Sequence, residues 1–167
     1  MGERQKKVDK RRRREGKTNY LIRIKLLKGK KPRVVFRKTN KYILSQYVVS
    51  KGAQDNIIIG TSSKELMNFG LSKESKVSLK SITAAYLTGV LMGVKIKEKK
   101  LETPIMDMGM LRVTHKTKPY AFIKGLKDAG MNVNCDEECF PEEGRIKGES
   151  LKNKINFEEI KSKIMKK

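Results

Sequence analysis

The architecture follows from the stretch RVVFRKTNKYILSQYVVSKGAQDNIIIG, residues 33–60. It contains three segments rich in β-branched and aromatic residues, at 33–38, 41–49 and 56–60. Such residues favour strands, and the links between the segments carry the turn signals Thr39-Asn40 and Lys51-Gly52. Three consecutive strands with short links predict an antiparallel meander.

The strongest predicted helix covers residues 81–99. Its apolar and small residues follow the spacing of one helical face: Ile82, Ala85, Tyr86, Gly89, Val90 and Gly93. Each glycine costs a helix about 1 kcal/mol relative to alanine, so a packing reason is expected for both. We expect Gly89 and Gly93 to let this helix lie close to the sheet.

The other segments predict shorter elements. Residues 18–29 predict a helix that is capped by Thr18, has an apolar side and a basic side, and ends at Gly29. Further helices are predicted at 62–70, 120–129 and 157–165, a buried strand at 104–111 and a last short strand at 131–134. This order predicts an α/β fold with a mixed sheet, a three-stranded antiparallel meander and covering helices, and it resembles the ribonuclease H-like architecture.

Positive charge is concentrated at the N-terminus. The 167 residues carry a formal net charge of +22, and residues 1–41 alone hold 18 Lys or Arg against Glu3, Asp9 and Glu15. A compact body would repel itself at that charge density. We therefore expect the arm in this first quarter of the chain to be unstable until a polyanion neutralises it, and residues 1–16 to form a basic tail without periodic structure. Nucleic acid is the natural polyanion.

A membrane surface is the main alternative to nucleic acid. An interfacial helix needs large apolar residues on one face, whereas residues 3–17 offer only Val8, and Trp is absent from the chain. The uncharged apolar stretch 81–94 is too short to span a bilayer. No apolar segment follows the basic N-terminus, so no secretory signal and no membrane partner are expected.

The sequence offers little for catalysis. The ribonuclease H-like order raises the possibility of a metal-dependent nuclease, but such enzymes need several converging carboxylates, and the first strand has none. Asp107 stands alone in a later strand, and Cys135, Cys139 and His115 make too few ligands for a structural zinc site. We expect no enzyme, no metal, no cofactor and no small-molecule substrate.

Several residues have the chemistry to contact RNA. Tyr20 and Tyr42 flank the basic stretch and could stack on bases, while Phe36 is equally compatible with core packing. The predicted hairpin tip carries Arg37, Lys38, Asn40 and Lys41, and His115 stands in a basic stretch that leads into a helix. Folded RNA is favoured over duplex DNA because no helix-turn-helix is evident, although a DNA-compacting protein remains the second hypothesis.

Six motifs, in this order, carry a resemblance to a known family: RRRREGKTNY, KPRVVFRKTNKYILSQ, AAYLTGVLMG, MDMGMLR, FIKGLKDAGMNV and FPEEGRIKGESL. Together they resemble the L-eighteen family of large-subunit ribosomal proteins, which bind 5S rRNA, in its archaeal form. The segment NVNCDEEC, with its two thiols, departs from the family pattern.

The resemblance implies a structural role in the central protuberance of the cytoplasmic ribosome. It implies a ribonuclease H-like domain without an active site, which binds 5S rRNA and helps attach it to the large rRNA beside neighbouring large-subunit proteins. The arm Lys10–Lys17 and the segment Arg33–Lys41 are implied as contacts, and the loop 114–118 is a further candidate.

We accordingly divide the chain into a basic N-terminal arm with a short helix at 1–31, an α/β RNA-binding domain at 32–134 and a C-terminal extension at 135–167. The predicted RNA-binding residues are Lys10, Arg11, Arg12, Arg13, Arg14, Lys17, Tyr20, Arg23, Arg33, Phe36, Arg37, Lys38, Asn40, Lys41, His115, Lys116 and Lys118.

Overall fold

Four strands form a mixed sheet in the computed structural model, which describes residues 8–52, 54–71, 78–112, 114–149, 151 and 155–166. The strands are β1 (Arg33–Lys38), β2 (Ile43–Lys51), β3 (Gln54–Ser62) and β4 (Ile105–Asp107). Their order is β3-β2-β1-β4, with β1–β2 and β2–β3 antiparallel and β1–β4 parallel. The predicted meander and the α/β class with a mixed sheet are confirmed.

The helices of the described residues surround this sheet. They are α1 (Arg11–Arg14), α2 (Tyr20–Lys28), α3 (Ile82–Glu98), α4 (Lys118–Asp128), α5 (Glu143–Lys147) and α6 (Phe157–Met165), with 3-10 helices at Ser63–Phe69 and Glu137–Cys139. The predictions for α3 and α6 are confirmed, and Ser81 caps α3 by accepting a hydrogen bond from the Ala84 amide at 3.0 Å. Helix α5 was not predicted.

Two predicted strands differ from the structure. The strand expected at 104–111 ends at Asp107, because the Asp107 carboxylate accepts a hydrogen bond from the Gly109 amide at 2.8 Å and Gly109 turns with φ +60°. The strand expected at 131–134 does not form. There the Met131 amide bonds back to the Leu126 carbonyl, and the Val133 amide bonds to the Met131 carbonyl.

The sheet buries one face beneath helices. The side chains of Val34, Phe36, Ile43, Tyr47 and Ile59 lie on this face and are at most 5% exposed. Helix α3 packs across β2 and β3, α4 packs against α3, and the Phe36 and Phe122 rings lie 5.1 Å apart. Helix α6 also packs against α3, and the ring of Phe157 lies 5.4 Å from that of Tyr86. The C-terminal segment is thus part of the core.

A β-bulge interrupts the pairing of β2 with the edge strand β3. Tyr47 pairs with Ile59 and Val48 pairs with Ile57, so Ile58 is an extra residue without a partner on β2. The Ile58 carbonyl accepts a hydrogen bond from the Lys99 amine at 3.4 Å. Bulges of this kind bend a strand and increase its twist.

The glycines of α3 face α4 rather than the sheet. A Cβ atom on Gly89 would lie 2.2 Å from the Phe122 carbonyl oxygen, and one on Gly125 would lie 2.2 Å from the Tyr86 carbonyl oxygen. A Cβ on Gly93 would lie 2.5 Å from that of Ala129. The predicted close packing is confirmed, but the predicted packing partner, the sheet, was wrong. The glycines instead let the backbones of α3 and α4 approach each other.

Arg33 ties the four strands together on the second face of the sheet. Its guanidinium is 2% exposed and donates to Asp107 on β4 at 3.0 Å, to Asp55 on β3 at 2.8 Å and to Ser50 on β2 at 3.0 Å. Burial by itself raises the pKa of Asp55, but hydrogen bonds from Ser50 and Arg23 and the charge of Arg33 lower it below its usual value. Asp55 is therefore an ionised partner of Arg33.

Replacing Gly89 by alanine tests the contact between α3 and α4. We expect the free energy of unfolding to fall by about 1–3 kcal/mol, because the methyl group overpacks against a carbonyl of α4. Gly60→Ala is the control, since nothing lies within 4 Å of its added Cβ. Urea denaturation measures both variants, and a Gly89→Ala protein as stable as the wild type contradicts the contact.

Removing the Asp107 carboxylate tests the Arg33 network. Asp107→Ala leaves a buried guanidinium with one of its two carboxylates, and breaking a buried pair in this way costs about 3–5 kcal/mol. Glu159→Ala is the control, because it removes an exposed pair with Lys163 and should unfold like the wild type. Equal denaturation midpoints for the two variants would show that the network contributes little.

Candidate nucleic-acid interface

The described part of the basic arm contains a helix of four arginines, α1. All of Arg11–Arg14 are exposed, and the Arg12 guanidinium donates to the Thr18 hydroxyl at 2.9 Å. Asp9 and Glu15 are the acidic groups beside them, at 3.5 Å from Arg13 and 3.8 Å from Arg11. The prediction of an aperiodic tail is wrong for this helix, and residues 1–7 of the tail lie outside the described residues.

Helix α2 lies over the second face of the sheet. It is capped by Asn19, not by Thr18 as predicted: the Asn19 side chain accepts from the Leu21 and Ile22 amides at 3.1 and 3.3 Å. Arg23 holds α2 in place through Asp55, at 2.9 Å. A cavity of about 300 Å³ remains between the helix and the sheet.

Five of the predicted contacts line this cavity: Arg12, Lys17, Arg23, Arg33 and Arg37. The four other than the buried Arg33 form what we call the arm-side surface. Arg37 is 42% exposed and also reaches Asp107, at 3.5 Å. Lys10 lies over the ring of Tyr20, 4.9 Å from its centroid, so that aromatic side chain is covered by a cation. The surface combines fixed guanidinium groups with the exposed arginines of α1.

Two predicted contacts are buried and therefore unavailable to RNA. Arg33 is 2% exposed and holds Asp55 and Asp107, while Phe36 is fully buried against Phe122. Their side chains are used by the core and by the ion-pair network. We therefore correct the prediction by removing Arg33 and Phe36 from the candidate interface.

The link between β1 and β2 presents the other predicted residues of the basic stretch. Lys38, Asn40 and Lys41 are exposed. The Thr39 hydroxyl accepts from the Tyr42 amide at 2.9 Å, and the Thr39 amide donates to the Tyr42 carbonyl at 2.8 Å. These bonds close the link into a tight turn, so its polar side chains project away from the sheet.

The remaining predicted contacts lie on the opposite side of the sheet. Alternate residues of a strand face opposite sides, so Lys38 points to the helical layer while Arg37 points to α2. Lys38 shares a pocket of about 340 Å³ with Lys116 and Lys118 at the start of α4. His115 is exposed beside this pocket, with its ring 5.7 Å from that of Tyr120. We call this region the helix-side surface.

Sequence reasoning missed two members of the helix-side surface. Arg112 and Arg145 line the same pocket as Lys118. They are far from Lys38 along the chain, and neither lies in a run of basic residues. Only the packing of the loop after β4 and of α5 around the start of α4 brings them together.

The acidic side chains Asp55 and Asp107 of the sheet form ion pairs with arginines. Asp107, which a nuclease would need on this strand, is held by Arg33 and Arg37. In the part of the chain that the structure describes, no three His, Cys, Asp or Glu side chains are grouped so that they could hold a metal ion. Within the same residues, no helix has the length and apolar character needed to cross a membrane.

Comparison with known proteins points to the ribosome. Residues 4–103 match the family of ribosomal large subunit proteins 60S L5 and 50S L18. The large ribosomal subunit protein uL18 of Korarchaeum cryptofilum is 43% identical over 145 residues, which cover 87% of this chain and 72% of that protein. The uL18 protein of Methanothrix thermoacetophila is 38% identical over 165 residues, 95% of each chain.

A third relative comes from another archaeon. The uL18 protein of Methanospirillum hungatei is 39% identical over 141 residues, covering 84% of this chain and 78% of its own length. These relatives are ribosomal proteins and not enzymes. The exposed basic surfaces, the carboxylates occupied by arginines and this similarity along most of the chain lead to one conclusion: the chain belongs to the archaeal uL18 family of large ribosomal subunit proteins and has a structural role in the ribosome.

Proposed function

We propose that this protein binds 5S rRNA and helps attach it to the large rRNA in the central protuberance of the large subunit. The observation that carries the proposal is the arm-side surface, where the exposed arginines of α1 adjoin a cavity lined by Lys17, Arg23 and Arg37. Acidic residues neutralise only part of this charge. RNA phosphates are the polyanion that a ribosomal protein meets.

Contacts with phosphate supply affinity without reading sequence. An A-form helix presents phosphates and 2′-hydroxyls on its accessible surface, so a protein recognises it by shape. The arm-side surface suits this mode because Arg23 and Arg37 are anchored by Asp55 and Asp107, while the arginines of α1 are exposed. The turn with Asn40 and Lys41 adds polar groups that can reach a groove. Neighbouring large-subunit proteins complete the expected set of partners.

We also propose that the domain is of the ribonuclease H-like type without its active site. The strand order β3-β2-β1-β4 with a parallel β4 supports this proposal, as does the use of Asp107 as an ion-pair partner. The division into an arm at 1–31, a domain at 32–134 and an extension at 135–167 is kept as a proposal, with the qualification that α6 packs against the domain.

Neutralising the arginines of α1 tests the proposed grip on RNA. The variant replaces Arg11, Arg12, Arg13 and Arg14 by glutamine. Each phosphate contact contributes roughly 0.7–0.9 to the slope of the logarithm of the binding constant against the logarithm of the salt concentration. If all four arginines contact phosphates, this slope should become shallower by about 3 in the variant. Filter binding to 5S rRNA at several salt concentrations measures the slope.

The control variant removes the same charge from other exposed positions: Lys97, Lys100, Lys147 and Lys166, each replaced by glutamine. It should keep most of the salt dependence of the wild type. An identical slope for wild type and arginine variant contradicts the role of α1. Equal affinity of the wild type for 5S rRNA and for a DNA duplex of the same length contradicts the preference for 5S rRNA, because a specific site should be favoured by at least about a thousandfold.

A further inference from the structure

The pocket of the helix-side surface has an apolar floor. It opens where the end of β1, the start of α3 and the start of α4 meet, and has a volume of about 340 Å³. Ile82, Leu111 and Pro119 line it, with the buried Phe36 beneath them. Ile82 and Leu111 are only partly covered by the core. The volume lies within the range of small-ligand pockets, roughly 300–1,000 Å³.

The rim of the same pocket is cationic. Lys38, Arg112, Lys118 and Arg145 surround it, and among the described residues none of the four has a carboxylate within ion-pair distance. Lys116 differs, because it lies 3.7 Å from Glu142. Burial lowers the pKa of the Lys118 amine, and the charges of Lys38 and Lys80 lower it further. Lys38 and Lys80 therefore repel Lys118, and no carboxylate of the described residues pairs with it.

An apolar floor beneath a cationic rim matches a ligand that is itself apolar at one end and anionic at the other. A bare phosphate would use only the rim, and an apolar side chain would use only the floor. A nucleotide uses both, since its base has flat apolar faces and its phosphate is a strong acceptor for Arg and Lys. The base of a paired nucleotide lies inside a helix, so the ligand must be unpaired.

We propose that this pocket binds a single unpaired nucleotide of ribosomal RNA, with its base against Ile82, Leu111 and Pro119 and its phosphate on Arg112, Lys118 and Arg145. The proposal rests on the proposed function for the source of the nucleotide. It adds a recognition site that is separate from the arm-side surface, on the opposite side of the sheet. Through it the protein contacts a base as well as the backbone.

Methyl-labelled full-length protein provides the test, because Ile82 and Leu111 carry methyl groups in the pocket. Titration with uridine 5′-monophosphate or adenosine 5′-monophosphate should shift these NMR signals to saturation. Inorganic phosphate and the free nucleosides, titrated separately, should each bind at least about tenfold more weakly, because each satisfies only the rim or only the floor. Unchanged Ile82 and Leu111 signals overturn the proposal, and so does phosphate binding as tight as that of the nucleotides.

The matched variants are Arg112→Gln with Arg145→Gln, and Lys97→Gln with Lys166→Gln. Each pair removes two charges from exposed side chains, so neither disturbs the core. The pocket pair should weaken nucleotide binding by about tenfold, since charge-assisted contacts to phosphate are lost. The control pair should bind nucleotides like the wild type. Equal weakening in both pairs would show a response to net charge only and would overturn the proposal.

Adding 5S rRNA or a fragment of large-subunit rRNA tests the source of the nucleotide. At least one of the two RNAs should displace the bound mononucleotide and move the Ile82 and Leu111 signals to a new position. If both RNAs bind the protein while the mononucleotide stays in place, the assignment to RNA is wrong. Failure of 5S rRNA to bind at all counts against the proposed function, while the titration with mononucleotides still decides whether the pocket takes a nucleotide.

Discussion

The buried guanidinium of Arg33 is the constraint on which the rest of the structure depends. It contacts residues of β2, β3 and β4 from its place on β1, so a single side chain fixes the relation of all four strands. Asp55, one of its partners, also anchors Arg23 of α2. The position of the basic helix over the sheet therefore follows from the same network that holds the sheet together.

The sequence predicted the elements whose signals are local. The three meander strands, helix α3 and the terminal helix α6 were found from residue pattern alone. Pattern could not show that Arg33 is buried, because its partners Asp55 and Asp107 stand 22 and 74 residues away. The same limit applies to Gly89, whose partner backbone in α4 becomes known only when the helices are packed.

The predicted binding residues divide according to the geometry of β1. Odd positions face α2 and even positions face the helical layer, so neighbours in the basic stretch serve opposite sides of the molecule. This explains why the basic stretch of β1 contributes Arg37 to the arm-side surface, Lys38 to the helix-side surface and Arg33 to the buried ion-pair network. The family assignment and the place on the cytoplasmic ribosome, which the motifs implied, are confirmed by the archaeal relatives. The expectation of a non-enzymatic role came from the missing carboxylates, and it agrees with these relatives.

The bulge at Ile58 bears on how the free chain stays in solution. Strand β3 is an edge of the sheet and exposes Ile57 and Ile58, at 57% and 41%. A flat apolar edge would recruit strands from other copies and lead to aggregates. Here the extra residue distorts the hydrogen-bond ladder between the strands. The Lys99 amine donates a hydrogen bond to the Ile58 carbonyl and so places a positive charge at this edge. The bulge and the charge of Lys99 thus disfavour pairing of this edge with a strand of another copy.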